Sequence, residues 1–321
     1  MSTQFYLPEG YDSPAAAPLP LSAIQALIDQ QTIVEGTVVR CDPQHRLYVR
    51  FRGYDAYIPR EEAVHPAISG AQREISILSR VGKTVSFLIT GYTVDGGGKP
   101  MLILSRRLAQ EIALRELLER AVPGTVLRGK ITHLERFGAF VDIGCGVIAL
   151  LPLEYISVAR IPHPQARFSE DQKVLVAVKQ VDRSAKRFTL THKELLGSWM
   201  ENASLFLPGE TVPGIVRGIN PYGVFVELTP NLSGLAEPWE GLEDGNSVSV
   251  FIKSIRPEQM KIKLQIVQRL PTPPPAEPLS YWLTGGVLEK WVYSPPGYLR
   301  GEEIATTFLP APGIEPSNGD R

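Results

Sequence analysis

The stretch GKITHLERFGAFVDI, Gly129 to Ile143, returns about 85 residues later as GIVRGINPYGVFVEL, Gly214 to Leu228. Both copies read glycine, seven residues, aromatic, glycine, small residue, Phe-Val, acid, aliphatic. Self-similarity on this scale means one structural unit has been copied, and it constrains the fold more tightly than any local propensity.

Strand signals surround each copy. Around the first, Val126–His133, Phe137–Ile143, Val147–Leu151, Lys173–Val181 and Arg187–Thr191 read as five short strands, with one connection at Pro152–Ile156 after the third. The second copy has the same layout: Thr211–Ile219, Gly223–Leu228, Leu232–Ala236, Ser247–Ile255 and Met260–Ile266. A more divergent unit precedes both, with strands at Val34–Arg40, Arg46–Phe51, Ala56–Ile58, Thr84–Val94 and Met101–Leu104. Its long connection from Arg60 to Arg80 should be partly helical. Five strands in about 70 residues are the signature of a small closed barrel. The predicted fold class is therefore all-β with helical linkers: three tandem five-stranded barrels.

Side chains alternate faces along a strand. Ala139, Val141 and Ile143 form one apolar set that fills the barrel, which leaves Phe140 and Asp142 facing out. In the next unit Val224, Val226 and Leu228 point in, and Phe225 and Glu227 point out. An outward aromatic in one unit needs no explanation; the same one in two units does. Phe137 and Tyr222, each three residues earlier, share that surface if Gly138 and Gly223 bend the strand. Two neighbouring rings then make a platform for unpaired bases; the competing reading has Phe137 and Tyr222 capping the barrel end. In the first unit Arg46, Tyr48, Arg50 and Arg52 share a face, suited to phosphates and a stacked base or, equally, a solvated sheet face.

Charge is unevenly spread. The net −1 comprises 0 over residues 1–121, +3 over 122–206 and −4 over 207–321. A weakly basic centre suits nucleic-acid binding that relies on stacking as well as charge. The two cysteines, Cys41 and Cys145, form no CxxC and have no clustered histidines, so neither metal nor cofactor is expected, and a reducing compartment is. No apolar run approaches the roughly 18 residues of a membrane span. The N-terminus lacks a basic start followed by an apolar core, so no signal peptide is expected and the cytoplasm is the expected location.

The aromatic-Gly-[Ala/Val]-Phe-Val-[Asp/Glu] strand, the glycine ahead of it, Leu150 to Ser157 (LLPLEYIS) and Asn231 to Glu237 (NLSGLAE) resemble the S1 RNA-binding domain, an OB-fold barrel. The unit around Phe137 matches along its whole length, the next nearly as well, and the first is a degenerate copy. Three tandem copies resemble a short form of the bacterial ribosomal protein S1 family. That resemblance implies an OB-fold/S1-like barrel array and RNA contacts from two second-strand aromatics, a histidine after the third strand, and an Asp and an Arg around the last strand turn. Carried over, the central unit offers Phe137, Phe140, Asp182 and Arg187, with Pro152 in place of the histidine. The third offers Tyr222, Phe225 and Lys261, with Glu237 at the histidine position, where it would repel phosphate, and Arg256 near that of the Asp. The first offers Tyr48 and, after an insertion, His45, with Met101 where the terminal Arg belongs. The central platform is expected to be the strong one, the third compromised, and the first an arginine-based substitute in which Arg46 and Arg50 act with Tyr48.

The expected organisation is a disordered N-terminus and short helix over 1–30, barrels over 31–107, 122–193 and 207–268, helical linkers over 108–121 and 194–206, and a Pro-rich spacer with an aromatic tail over 269–321. The implied function is single-stranded RNA binding, mRNA in the first place, with the small ribosomal subunit as a further partner and no membrane or small-molecule substrate. The alternative is a protein-binding scaffold for ribosomal or RNA-degradation components. No segment outside the units is long enough for a catalytic domain, and no P-loop, carboxylate cluster or nucleophile–base pair is present in the sequence, so no enzymatic activity is expected.

Overall fold

Three closed barrels account for most of the chain. The computed structural model describes residues 5–12, 17–69, 73–94, 98–272, 279–299 and 301–308. The first barrel comprises β1 (Val34–Cys41), β2 (Leu47–Phe51), β3 (Tyr54–Ile58), β4 (Thr84–Val94) and β5 (Pro100–Ser105). The central barrel has β6 (Val126–Glu135), β7 (Gly138–Asp142), β8 (Ile148–Pro152), β9 (Lys173–Asp182) and β10 (Arg187–Thr191). The third has β11 (Thr211–Asn220), β12 (Gly223–Thr229), β13 (Leu232–Ala236), β14 (Ser247–Arg256) and β15 (Lys261–Arg269). In each, strands run in the order one-two-three-five-four, with the third and fifth parallel and all other pairs antiparallel. This is the predicted OB-fold topology, in triplicate.

The three units superimpose residue by residue through their first hairpin. Gly36, Gly129 and Gly214 sit where a Cβ would come within 2.9, 2.6 and 2.5 Å of Val49, Val141 and Val226. Those three valines are buried at one equivalent core position. The same register aligns Tyr48 with Phe140 and Phe225, and Arg50 with Asp142 and Glu227.

Asp142 and Glu227 do leave the barrel wall outward, but neither reaches solvent; both are buried. The reason lies in the segment Phe5–Asp12, which is not disordered. The Glu9 backbone N–H donates to Asp142 at 2.8 Å, and Gly144 and Gly146 N–H donate at 2.9 and 3.0 Å. The Glu9 carboxylate, 5% exposed, takes a bidentate pair from Arg106 at 2.6 and 2.7 Å and a bond from the Ser86 N–H at 3.1 Å. Arg106 opens the linker helix Arg106–Arg120, whose N-terminus Ser105 caps. One residue thus ties together the first barrel, the linker helix and the central barrel. Burial and the Glu9 charge push the Asp142 carboxyl up to about 7, against the backbone donors.

Glu227 is covered in a similar way: Arg167 of the preceding module and Arg217 of its own β11 donate to it at 2.6 and 2.7 Å. Beside it Asn231, fully buried, uses its whole side chain. Its amide donates to the Lys193 and Gly197 carbonyls at 2.7 and 2.8 Å, and its carbonyl accepts from Val158 N–H at 3.1 Å.

The second linker, expected to be helical over 194–206, is broken into a 3₁₀ turn at Lys193–Leu195 and a helix at Trp199–Ala203. Gly197 takes φ +86°, and Ser198 with Glu201 forms a capping box that starts the helix afresh. A Cβ at Gly197 would lie 2.6 Å from the Trp282 indole, so the tail packs on the break. The tail then pairs with the edge of the central barrel (Val126 N–H to the Gly286 carbonyl, 2.9 Å) and forms a two-stranded sheet of β16 (Lys290–Val292) and β17 (Ala305–Thr307). Trp291 and Tyr293 are buried against the third barrel's core. The Pro273–Pro275 run of the expected spacer lies outside the described residues. Both cysteines are free, Cys145 buried and Cys41 half-buried.

Replacing Glu9 with Ala leaves Arg106 charged, buried and unpaired, so urea unfolding should show a loss of about 3–5 kcal/mol. A wild-type-like midpoint would mean that the segment is not holding the barrels. His192 supplies a pH signature. It is fully buried, its Nδ1 2.9 Å from the Ile156 carbonyl and its Nε2 3.2 Å from the Tyr281 hydroxyl, and burial lowers its pKa to about 4. The unfolded chain binds a proton near pH 6.5 and the folded one does not, so stability is full above that and drains away as pH falls toward 4, by about 3 kcal/mol. His192→Gln should flatten this limb in thermal melts between pH 7 and 4.

Candidate nucleic-acid interface

Phe137 and Phe140 do share one surface, though not through a strand bend. Arg136 and Phe137 are the two turn residues between β6 and β7, so Phe137 stands outside the alternation of the strand. The two rings meet edge to face, 5.9 Å between centroids, with Phe137 59% exposed. Gly138 serves close approach: a Cβ there would lie 2.4 Å from the Leu151 carbonyl oxygen. The third barrel repeats the arrangement. Pro221 and Tyr222 form the turn, Tyr222 and Phe225 meet at 90° and 6.4 Å, and a Cβ on Gly223 would meet the Ala236 carbonyl at 2.4 Å. Tyr222 is 67% and Phe225 36% exposed, so neither pair caps its barrel.

A β-bulge lies opposite each platform ring, between Val38 and Arg40, Ile131 and His133, and Val216 and Gly218. The residue it presents differs. Arg40 lies over the Tyr48 ring at 3.5 Å and blocks that face. His133 lies nearly parallel to Phe140, 6.5 Å away, with its imidazole between Glu170 and Glu135 at 3.1 and 2.9 Å. Those carboxylates, Glu170 foremost, raise its pKa. Gly218 leaves Phe225 uncovered. Sequence reasoning missed His133 and Arg40, because a bulge shifts which first-strand residue meets the ring.

The remaining candidates divide. Asp182 holds the β9–β10 turn, accepting from the Ser184 hydroxyl at 2.7 Å and the Ala185 N–H at 2.9 Å, which lower its pKa. Arg187 is exposed on β10, two residues from Thr189, which is in register with Leu150 and, through it, Phe140. In the third barrel Lys263 holds the Thr189 position, in register with Leu235 and Phe225, and Lys261 and Arg256 pair at the hairpin end. These cations and the two rings border a cavity of about 610 Å³. The acid at Glu237 is neutralised by Lys253 at 3.1 Å, which also lowers its pKa. The third face is thus more basic than its module's net charge suggests, and Lys263 joins the candidates. In the first barrel Arg46 is tied to Asp42 at 2.7 Å, and the Tyr48 hydroxyl donates to the same carboxylate. Only Arg50 of that proposed trio is exposed without an ion pair among the described residues. No group of three or more His, Cys, Asp or Glu among the described residues could hold a metal ion.

A family model, the S1 RNA binding domain, matches residues 121–193, the unit carrying Phe137 and Phe140. Similarity extends well beyond it. The chain is 33% identical over 208 residues to the small ribosomal subunit protein bS1 homolog of Bacillus subtilis, covering 60% of this chain and 53% of that protein. It is 34% identical over 186 residues to bS1 of Staphylococcus saprophyticus, covering 53% and 47%. The chain is homologous to these proteins but spans only about half their length. No helix among the described residues is long and apolar enough to cross a membrane.

Gly138→Ala forces its methyl against a backbone carbonyl that cannot swing aside. It should destabilise the central S1 barrel by about 1–3 kcal/mol in thermal melts. An unchanged melting temperature would show that the strand can yield there.

Proposed function

We propose that this protein binds single-stranded RNA through the outward faces of its central and third barrels. The observation that carries this reading is the repeated ring pair: two exposed aromatics on the same two positions of two barrels, each pair beside a glycine whose Cβ would meet a backbone carbonyl oxygen at 2.4 Å. Such rings stack on bases of any sequence, so sequence preference is low. The relatives are ribosomal by name, and mRNA on the small ribosomal subunit in the cytoplasm is the setting we assign, for a binding protein and not an enzyme. The first barrel contributes Arg50 as a phosphate contact, with Tyr48 closed by Arg40.

A protein scaffold is less well supported. Its motives are the acidic third unit and the aromatic tail, yet Glu227 and Glu237 of that unit are paired within the chain and Trp291 and Tyr293 are buried on the third barrel, which leaves Trp282 as the exposed large aromatic of the tail's described residues.

Each stacked base contributes roughly 1–3 kcal/mol, and about 1.4 kcal/mol is tenfold in affinity. Phe137→Ala with Phe140→Ala should therefore weaken binding of a fluorescent oligouridylate at least tenfold in anisotropy titrations, with an unchanged circular dichroism spectrum. Equal affinity in the folded double variant would refute the platform.

A further inference from the structure

On the far side of Phe137 from Phe140 lies a second cleft, of about 610 Å³, bordered by Phe137, Pro152, Glu154, Val158, Arg160 and Ile161. Its size is that of small-ligand sites. Val158 is 37% exposed although nothing in the barrel requires an outward valine there. Arg160 is exposed and makes no ion pair among the described residues. The wall of this cleft is also the seam with the third barrel: Ala159 N–H donates to the Pro230 carbonyl at 3.0 Å, and Val158 N–H to Asn231. Two residues beyond Asn231, Ser233 begins the β13 lining of the third barrel's own cavity, which runs past Phe225 to Tyr222.

We infer that the Arg160 cleft is a nucleotide-binding subsite joining the two faces, so that one RNA strand runs from Phe140 past Phe137, through the cleft, over the seam and onto Phe225. This rests on the platform reading. Arg160 supplies a phosphate contact and Val158 an apolar floor, while Glu154 at the rim keeps the cleft from acting as a general anion sink. The seam matters because it is fixed. With Asn231 and Glu227 locked between the barrels, the cleft keeps its position relative to both platforms, and a strand crossing it need not order a linker.

The test compares a short oligouridylate of about 4 nucleotides, the lower end of a single barrel's site, with one of about 32, twice the upper end and long enough to span both. Arg160→Glu should weaken the long oligonucleotide at least tenfold and leave the short one within twofold; Arg160→Ala should act in the same direction, less strongly. Equal effects on both lengths, or none, overturn the subsite. Phe137→Ala with Phe140→Ala, run in parallel, separates the two claims. If it weakens the short oligonucleotide while Arg160→Glu acts equally on both lengths, only the joining cleft falls; if the short oligonucleotide is unaffected by the double variant, the platform itself falls.

Discussion

In the central and third barrels the second strand has a single outward face, and that face is divided between two uses. Its first half, with the turn before it, presents the exposed rings, Phe140 with Phe137 or Phe225 with Tyr222. Its second half carries a carboxylate, Asp142 or Glu227, that is driven into a dry interface with the preceding module. A carboxylate in such a place must be satisfied or neutralised. Backbone N–H groups satisfy Asp142, and Arg167 with Arg217 satisfies Glu227. The acid of the repeat signature therefore docks the previous module rather than shaping the binding surface. By docking it two residues past the ring, it also sets where the next platform stands.

The same copying explains how three barrels of one topology come to present three different faces. The bulge opposite the platform ring costs nothing in the core, so its residue is free to vary. Arg40 fills the space over Tyr48, His133 extends the Phe140 platform with a second, ionisable ring, and Gly218 opens Phe225 on one side. Cations vary similarly along the fifth strand, where Lys263 stands in register with Phe225 and an uncharged Thr189 with Phe140. Net charge by module hides this: the third module is the most acidic of the three, yet Glu227 is paired internally and Glu237 is answered by Lys253.

Local periodicity made the strands legible in the sequence, and copying made the ring pairs legible; each expected strand has an observed counterpart, with end points shifted by no more than a few residues. What periodicity could not show was anything set by contact between modules. Phe5–Asp12 looked like an unstructured Pro- and Gly-containing start, because the partners that order it, Arg106 and Asp142, lie about 100 or more residues away. Asp142 and Glu227 were read as solvent-facing because alternation reports which side of a strand a residue takes, not what covers that side. The mechanism assumed for the ring pairs was also local: Gly138 was expected to bend a strand, whereas Phe137 belongs to the turn and Gly138 makes room for the Leu151 carbonyl.

The inter-module contacts change what tandem barrels can be expected to do. Modules on flexible linkers gain affinity through an effective concentration set by linker length. Here the linkers are not free. The linker helix is clamped by the Arg106–Glu9 pair, Asn231 locks the central barrel to the third, and the tail runs from the edge of the one to the core of the other. The spacing between platforms is then a property of the fold, and on the proposed reading the central and third barrels would hold their bases at a preset distance from each other. On that reading, an RNA whose unpaired stretch is too short to cover that distance would engage one barrel at a time, however basic the faces are. Length of unpaired strand, more than base sequence, would then be the property that such an array reads.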